Sequence, residues 1–99
     1  MKMEKRDVYG FLRKVPKGKV TTYRELGKAA GVHPRVVGIL MRKNKDPVNI
    51  PCYRVVRSDG SLGGYSAKEG VKKKTELLKK DGIKIENGKI DLKKHLYKF

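Results

Sequence analysis

Apolar positions first recur at helical spacing. Val8, Phe11, Leu12 and Val15 fall at i, i+3, i+4 and i+7, which predicts a helix over residues 5–15, stopped by Pro16 and Gly18. Val20-Thr21 reads as a short extended lead. Thr22 with Glu25 three positions on is a capping box, so a second helix starts at Tyr23, turns Leu26, Ala29 and Ala30 inward and ends at Gly31. Val32 and His33 separate it from Pro34, which suits a first helical position. A third helix follows over residues 35–43, with Val36, Val37, Leu40 and Met41 apolar and Gly38 permitting close approach. Two helices joined by a tight glycine turn form a helix-turn-helix, with Arg35 in the first turn of its candidate recognition helix.

The pattern then changes period. Residues 44–50 form a loop in which Pro47 bars helix. Pro51 fixes the backbone before Cys52, Tyr53 to Val56 read as strand, and Asp59-Gly60 is a turn able to fold back a small hairpin. Gly63-Gly64 gives a closely approachable backbone. Ser66 with Glu69 is a second capping box, predicting a helix from about Ala67 to Lys80. Val71, Leu77 and Leu78 supply its apolar stripe and Lys72, Lys73 and Lys74 its solvated face. Residues 83–92 alternate apolar and polar around Asn87-Gly88, a strong hairpin signal and a possible wing. His95, Tyr97 and Phe99 pack the last segment down. The fold class is mainly α with small β hairpins, a winged helix-turn-helix DNA-binding domain.

Composition sharpens this. Ninety-nine residues make a single domain, in which a chain of this size buries roughly 60–65% of its unfolded surface. No stretch approaches the ~20 apolar residues of a membrane span, and the charged N-terminus lacks a signal-peptide core. One cysteine forms no internal disulfide, so a cytoplasmic location is the plain reading. The absence of Gln and Trp leans towards a heat-adapted source. Charge is the largest global signal. Lys plus Arg number 26 against 10 acids, a net +16. A polyanion such as nucleic acid is the partner this implies, a solvated lysine coat being the bland alternative.

The lone thiol is the candidate chemistry. A buried cysteine is often just a small hydrophobe. There is no Cys-x-x-Cys, and the arginine that a phosphatase loop needs six positions after the cysteine is Ser58 here. One Cys and two His are too few for a comfortable zinc site, so no metal is expected. A Cys–His dyad with His33 or His95 stays open on the residues alone.

Ile50-Pro51-Cys52-Tyr53-Arg54-Val55-Val56 resembles the active-site signature of the O6-alkylguanine-DNA alkyltransferases, normally Pro-Cys-His-Arg-Val. Val20-Thr21-Thr22-Tyr23, Pro34-Arg35-Val36-Val37-Gly38 with Met41-Arg42 and Asn44, Gly63-x-Tyr65-Ser66, and Leu77 to Gly82 resemble other segments of that family, in the same order. The resemblance implies a single-turnover repair protein without cofactor, acting as a monomer on double-stranded DNA containing O6-alkylguanine. The base leaves the stack, and the Cys52 thiolate displaces guanine from the alkyl carbon. By the family's pattern Arg35 enters the duplex from the minor groove, and Tyr23 contacts guanine N3. Val55 and Ser66 backbone with Tyr65, beside Gly63 and Gly64, line the guanine pocket, and Asn44 holds the loop before Cys52. Tyr53 departs from the pattern by replacing the histidine that activates the thiol. Asp81 stands where the family has the supporting glutamate. A phenol is a poorer base than imidazole, so Tyr53 is expected to relay a proton through water or to donate to the thiolate, with Arg54 adding positive field. The chain also starts close to the DNA-binding domain, as do the alkyltransferase-like proteins that bind lesions without repairing them. Those usually carry tryptophan in place of the cysteine.

Overall fold

Asp7 opens the first helix, α1 (Val8–Leu12), its carboxylate accepting from Gly10 N. The computed structural model describes residues 7–46, 49–62 and 70–99. α1 is shorter than its apolar spacing predicts, because Lys14 N and Val15 N donate three residues back, to Phe11 O and Leu12 O, and tighten the chain into a turn. Val15 still buries completely, carried inward by the turn rather than by the helix. The chain then enters β1 (Thr21–Thr22) and α2 (Tyr23–Ala30). Thr22 Oγ1 caps α2 by accepting from Glu25 N at 3.0 Å, as its sequence signature predicts. Gly31 ends it at φ 74°, a left-handed cap. α3 (Pro34–Lys43) starts three residues later, with His33 Nδ1 accepting from Arg35 N.

Close approach in this helix pair rests on Gly27, not on Gly38. A Cβ on Gly27 would sit 2.7 Å from the Val32 carbonyl oxygen, whereas one on Gly38 would meet nothing within 4 Å. Gly27→Ala gains about 1 kcal/mol of helix propensity but forces the backbone of the turn aside, at about 1–3 kcal/mol. A lower urea midpoint than wild type is the expected result; an equal or higher one would show that the turn yields freely.

The signature around the cysteine is not the strand that its β-branched residues predict. Arg54 N donates to Pro51 O at 2.9 Å, which winds Cys52–Arg54 into one 3-10 turn. Only Val55–Val56 is strand (β2), and it pairs in parallel with β1, Thr21 against Val55 and Thr22 against Val56. Asp59-Gly60 is a turn as expected, closed by Gly60 N to Arg57 O, and Arg57 N to Ser61 O folds the chain back without an extended ladder. Ser61 then bridges Lys89 in the C-terminal hairpin. That hairpin, β3 (Ile85–Glu86) and β4 (Lys89–Ile90), forms as its Asn87-Gly88 turn dictates, both turn residues having positive φ.

Between them runs α4 (Val71–Lys80). The expected start of this helix near Ala67 lies outside the described residues. A short α5 (Leu92–His95), capped by Asp91, follows the hairpin and has no strong sequence signal. The tail packs down as expected. Val20 N donates to His95 O and its carbonyl accepts from Tyr97 N, on either side of Leu96, and Phe99 lies edge-on to Phe11 and Tyr97.

The two-residue parallel sheet divides the core. Successive strand side chains point to opposite faces. Val55 therefore joins a cluster with Val8, Leu12, Leu26, Val37, Met41 and Cys52, while Val56 joins one with Val20, Tyr53, Leu62, Leu78, Ile83 and Ile90. Among the described residues no helix is long and apolar enough to cross a membrane.

Candidate functional site

The only cysteine lies at the seam of these clusters. Cys52 is 4% exposed and heads the 3-10 turn. Its approach is fixed by Asn44 at the end of α3. Asn44 Nδ2 donates to Ile50 O at 2.8 Å, and its Oδ1 accepts from Asp46 N at 2.9 Å, so one amide side chain braces both ends of the loop. Both histidines have partners other than the thiol. His33 Nδ1 is occupied by the α3 cap and His95 Nδ1 by the Gly18 carbonyl. A Cys–His dyad finds no support in this arrangement.

Tyr53 and Asp81 meet, and the geometry fixes what they do. The phenol donates to Asp81 Oδ2 at 2.8 Å, and Arg54 Nε donates to the same oxygen at 2.9 Å. Arg54 Nη1 continues to Val15 O, and its guanidinium lies over the Tyr53 ring. Burial, and next the hydrogen bond to Asp81, raise the Tyr53 phenol above its usual range. Tyr53 thus keeps its proton, and in this structure its hydroxyl donates a hydrogen bond to Asp81. Arg54 is likewise spent on Asp81, so it is a brace joining the end of α1, the 3-10 turn and the end of α4, not a free source of field.

Tyr23 opens α2 directly after β1. It is half-buried, and burial raises its phenol above the usual range, with Arg57 opposing, Cys52 adding to the rise and Arg42 opposing. Tyr23 follows the Thr22–Val56 pair and packs against the apolar cluster that contains Cys52. Arg35 is exposed in the first turn of α3, next to Val36 (39% exposed) and followed by Ile39 (37%). The outer face of α3 therefore carries apolar side chains into solvent together with Arg35, Arg42 and Lys43. Val55 is fully buried, and its carbonyl is taken by a lysine. Gly63, Gly64, Tyr65 and Ser66 lie outside the described residues.

That lysine is Lys74, which overturns the expectation of a solvated face. Lys72 and Lys73 are exposed, but Lys74 is 0% exposed and its Nζ donates to Val55 O at 2.5 Å. The ammonium also lies 5.9 Å from the centre of the Tyr23 ring. Burial pushes it down to about 8, with the Cys52 thiolate pulling it back up and Arg57 pushing it lower. A signal for this existed. Lys74 precedes Leu77 and Leu78 by three and four residues, which places it within the buried stripe.

A winged helix-turn-helix with a bare, basic second helix and a buried thiol on a turn packed behind it defines a DNA-binding domain with a lone thiol in its core. Residues 4–83 match the family described as 6-O-methylguanine DNA methyltransferase, DNA binding domain, and the chain belongs to that family. It is 47% identical over 92 residues to a bifunctional methyltransferase/endonuclease of Picrophilus torridus, covering 91% of this chain and 30% of that protein. It is 49% identical over 72 residues to a methylated-DNA–protein-cysteine methyltransferase of Pyrobaculum aerophilum, covering 73% and 47%. The chain thus spans less than half the length of either relative. Among solved structures, S. pombe Atl1 in complex with damaged DNA containing O6-carboxymethylguanine superposes with TM-score 0.84 at 26% identity over the whole of both chains. The O6-methylguanine-DNA methyltransferase of Pyrococcus kodakaraensis gives TM-score 0.71 at 41% identity, covering 80% of this chain and 46% of that one.

Proposed function

We propose that this domain binds duplex DNA through α3 and takes the alkyl group of an extrahelical O6-alkylguanine onto Cys52, once per molecule. One observation carries this reading. The chain's only thiol sits on a braced turn, in the same apolar cluster against which Tyr23, the first residue of the helix-turn-helix, packs, so DNA reader and nucleophile share one core. The outer face of α3 suits a shallow groove. Arg35 is free to enter the duplex, Val36 and Ile39 make apolar contacts, and the open space at Gly38 lets sugar and phosphate approach the helix. The net charge of +16 supplies affinity for the backbone, which weakens steeply with salt.

A second reading has its own support. S. pombe Atl1 matches this chain end to end, and a lesion-binding protein without transfer has the same fold. Cys52 speaks for transfer, and one measurement decides. The protein is incubated with duplex carrying O6-methylguanine, and the peptide containing Cys52 is weighed. Transfer adds the mass of one methyl in place of hydrogen; an unchanged peptide from protein bound to the lesion leaves the sensor reading.

A further inference from the structure

With Tyr53 committed to Asp81, the thiol needs another means of ionising. We propose that Lys74 is the cation that holds Cys52 as a thiolate, the task for which relatives use a histidine next to the cysteine. The proposal rests on the alkyl-transfer reading and names the residue that prepares its nucleophile.

The placement supports it. α4 packs on the 3-10 turn that Cys52 heads, and Lys74 points from it into the core, where its Nζ bonds the carbonyl of Val55, three residues after Cys52. Its ammonium also lies close to the Tyr23 ring, within range of a favourable cation–π contact. A fully buried lysine is rare because desolvating an ammonium is costly. Burial pushes the Lys74 ammonium down only to about 8, so it keeps its proton near neutral pH. The Cys52 thiolate favours the ammonium and Arg57 opposes it. Asp81, Arg54 and Tyr53, farther along the same face of α4, are engaged with one another. The benefit is mutual, since two opposite charges in a poorly hydrated site stabilise each other's ionised form. Lys74 acts through Cys52 and through the Val55 carbonyl, which makes it a positioning residue.

The reaction balances with this assignment. The thiol proton leaves to solvent, and Lys74 retains its own. A sulfur lone pair forms the S–C bond to the alkyl carbon. The C–O6 bond breaks, leaving its electron pair on guanine, and the ring takes up one proton through the Tyr23 hydroxyl, which regains it from water.

The test is the pH dependence of Lys74→Met, which keeps the length of the side chain and removes the charge. Cys52 is alkylated with iodoacetamide across pH in wild type and variant, and methyl transfer from O6-methylguanine duplex is timed over the same range. The half-maximal pH of alkylation should rise by about one unit, which lowers transfer near neutral pH about tenfold. The deficit should close at alkaline pH, where either thiol is ionised, and duplex affinity should stay unchanged. A deficit constant with pH would mean that Lys74 only supports packing, and an unmoved alkylation midpoint would also overturn the proposal. If wild type transfers no methyl while the alkylation shift is present, the alkyl-transfer reading fails and the role of Lys74 stands. Should Lys74→Met not fold, the wild type still decides. The Lys74 13Cε resonance is titrated before and after Cys52 is capped with methyl methanethiosulfonate. Capping should lower its midpoint; an identical midpoint refutes the pairing.

Discussion

Replacing Cys52 by alanine abolishes methyl transfer and leaves binding to methylated duplex within about twofold of wild type. The two effects separate because the thiol and the binding face are on different surfaces. Cys52 is buried, whereas Arg35, Val36 and Ile39 lie on the exposed side of α3. Loss of one buried sulfur costs about 1 kcal/mol of stability, too little to unfold a domain held by two apolar clusters. Fluorescence anisotropy with methylated and unmethylated duplex at fixed salt reads affinity, and radiolabelled methyl on the protein reads transfer. Residual label in Cys52→Ala would place the acceptor elsewhere. Lesion preference lost together with transfer would mean that Cys52 recognises the base rather than accepts its alkyl group.

Asp81→Ala is the larger test of the frame. Asp81 Oδ2 is shared by Tyr53 and Arg54, and both members of the ion pair are largely shielded from water. Removing the carboxylate leaves a guanidinium without its countercharge beneath the 3-10 turn, and losses of about 3–5 kcal/mol are typical for such breaks. That is a large part of the roughly 5–15 kcal/mol that holds a small domain, so the melting temperature should fall by on the order of tens of degrees. Asp81→Asn, which keeps an acceptor and loses the charge, should fall between. Calorimetry of the three proteins checks the order. Equal melting temperatures would show that the pair contributes nothing beyond what solvent provides.

Much of the helix-turn-helix was legible because its punctuation is local. Thr22, Gly31 and Pro34 each act within four residues, and each does in the fold what its chemistry predicts. Asn87-Gly88 set the last hairpin in the same way. The thiol's surroundings were legible as a set of residues and not as a geometry. Val55 and Val56 favour strand, but their partner is Thr21-Thr22, far back in the chain, and no local pattern announces a parallel pair two residues long. The proline before Cys52 was visible, but not the turn its carbonyl closes. Tyr53 and Asp81 were paired through the family's pattern; that Arg54 joins them on one oxygen depends on how α4 crosses the 3-10 turn. Lys74 was hidden by its neighbours. Three lysines in a row read as solvent-facing, yet successive helical residues point about 100° apart, and only one of the three can lie above Leu77 and Leu78.

The pairing of Thr21 with Val55 and Thr22 with Val56 also constrains how such a domain can change. Two rungs of backbone weld the start of the DNA reader to the end of the thiol's turn, with no slack segment between them. A movement at one end of this pair is therefore passed directly to the other, so the start of α2 and the turn that carries Cys52 shift together.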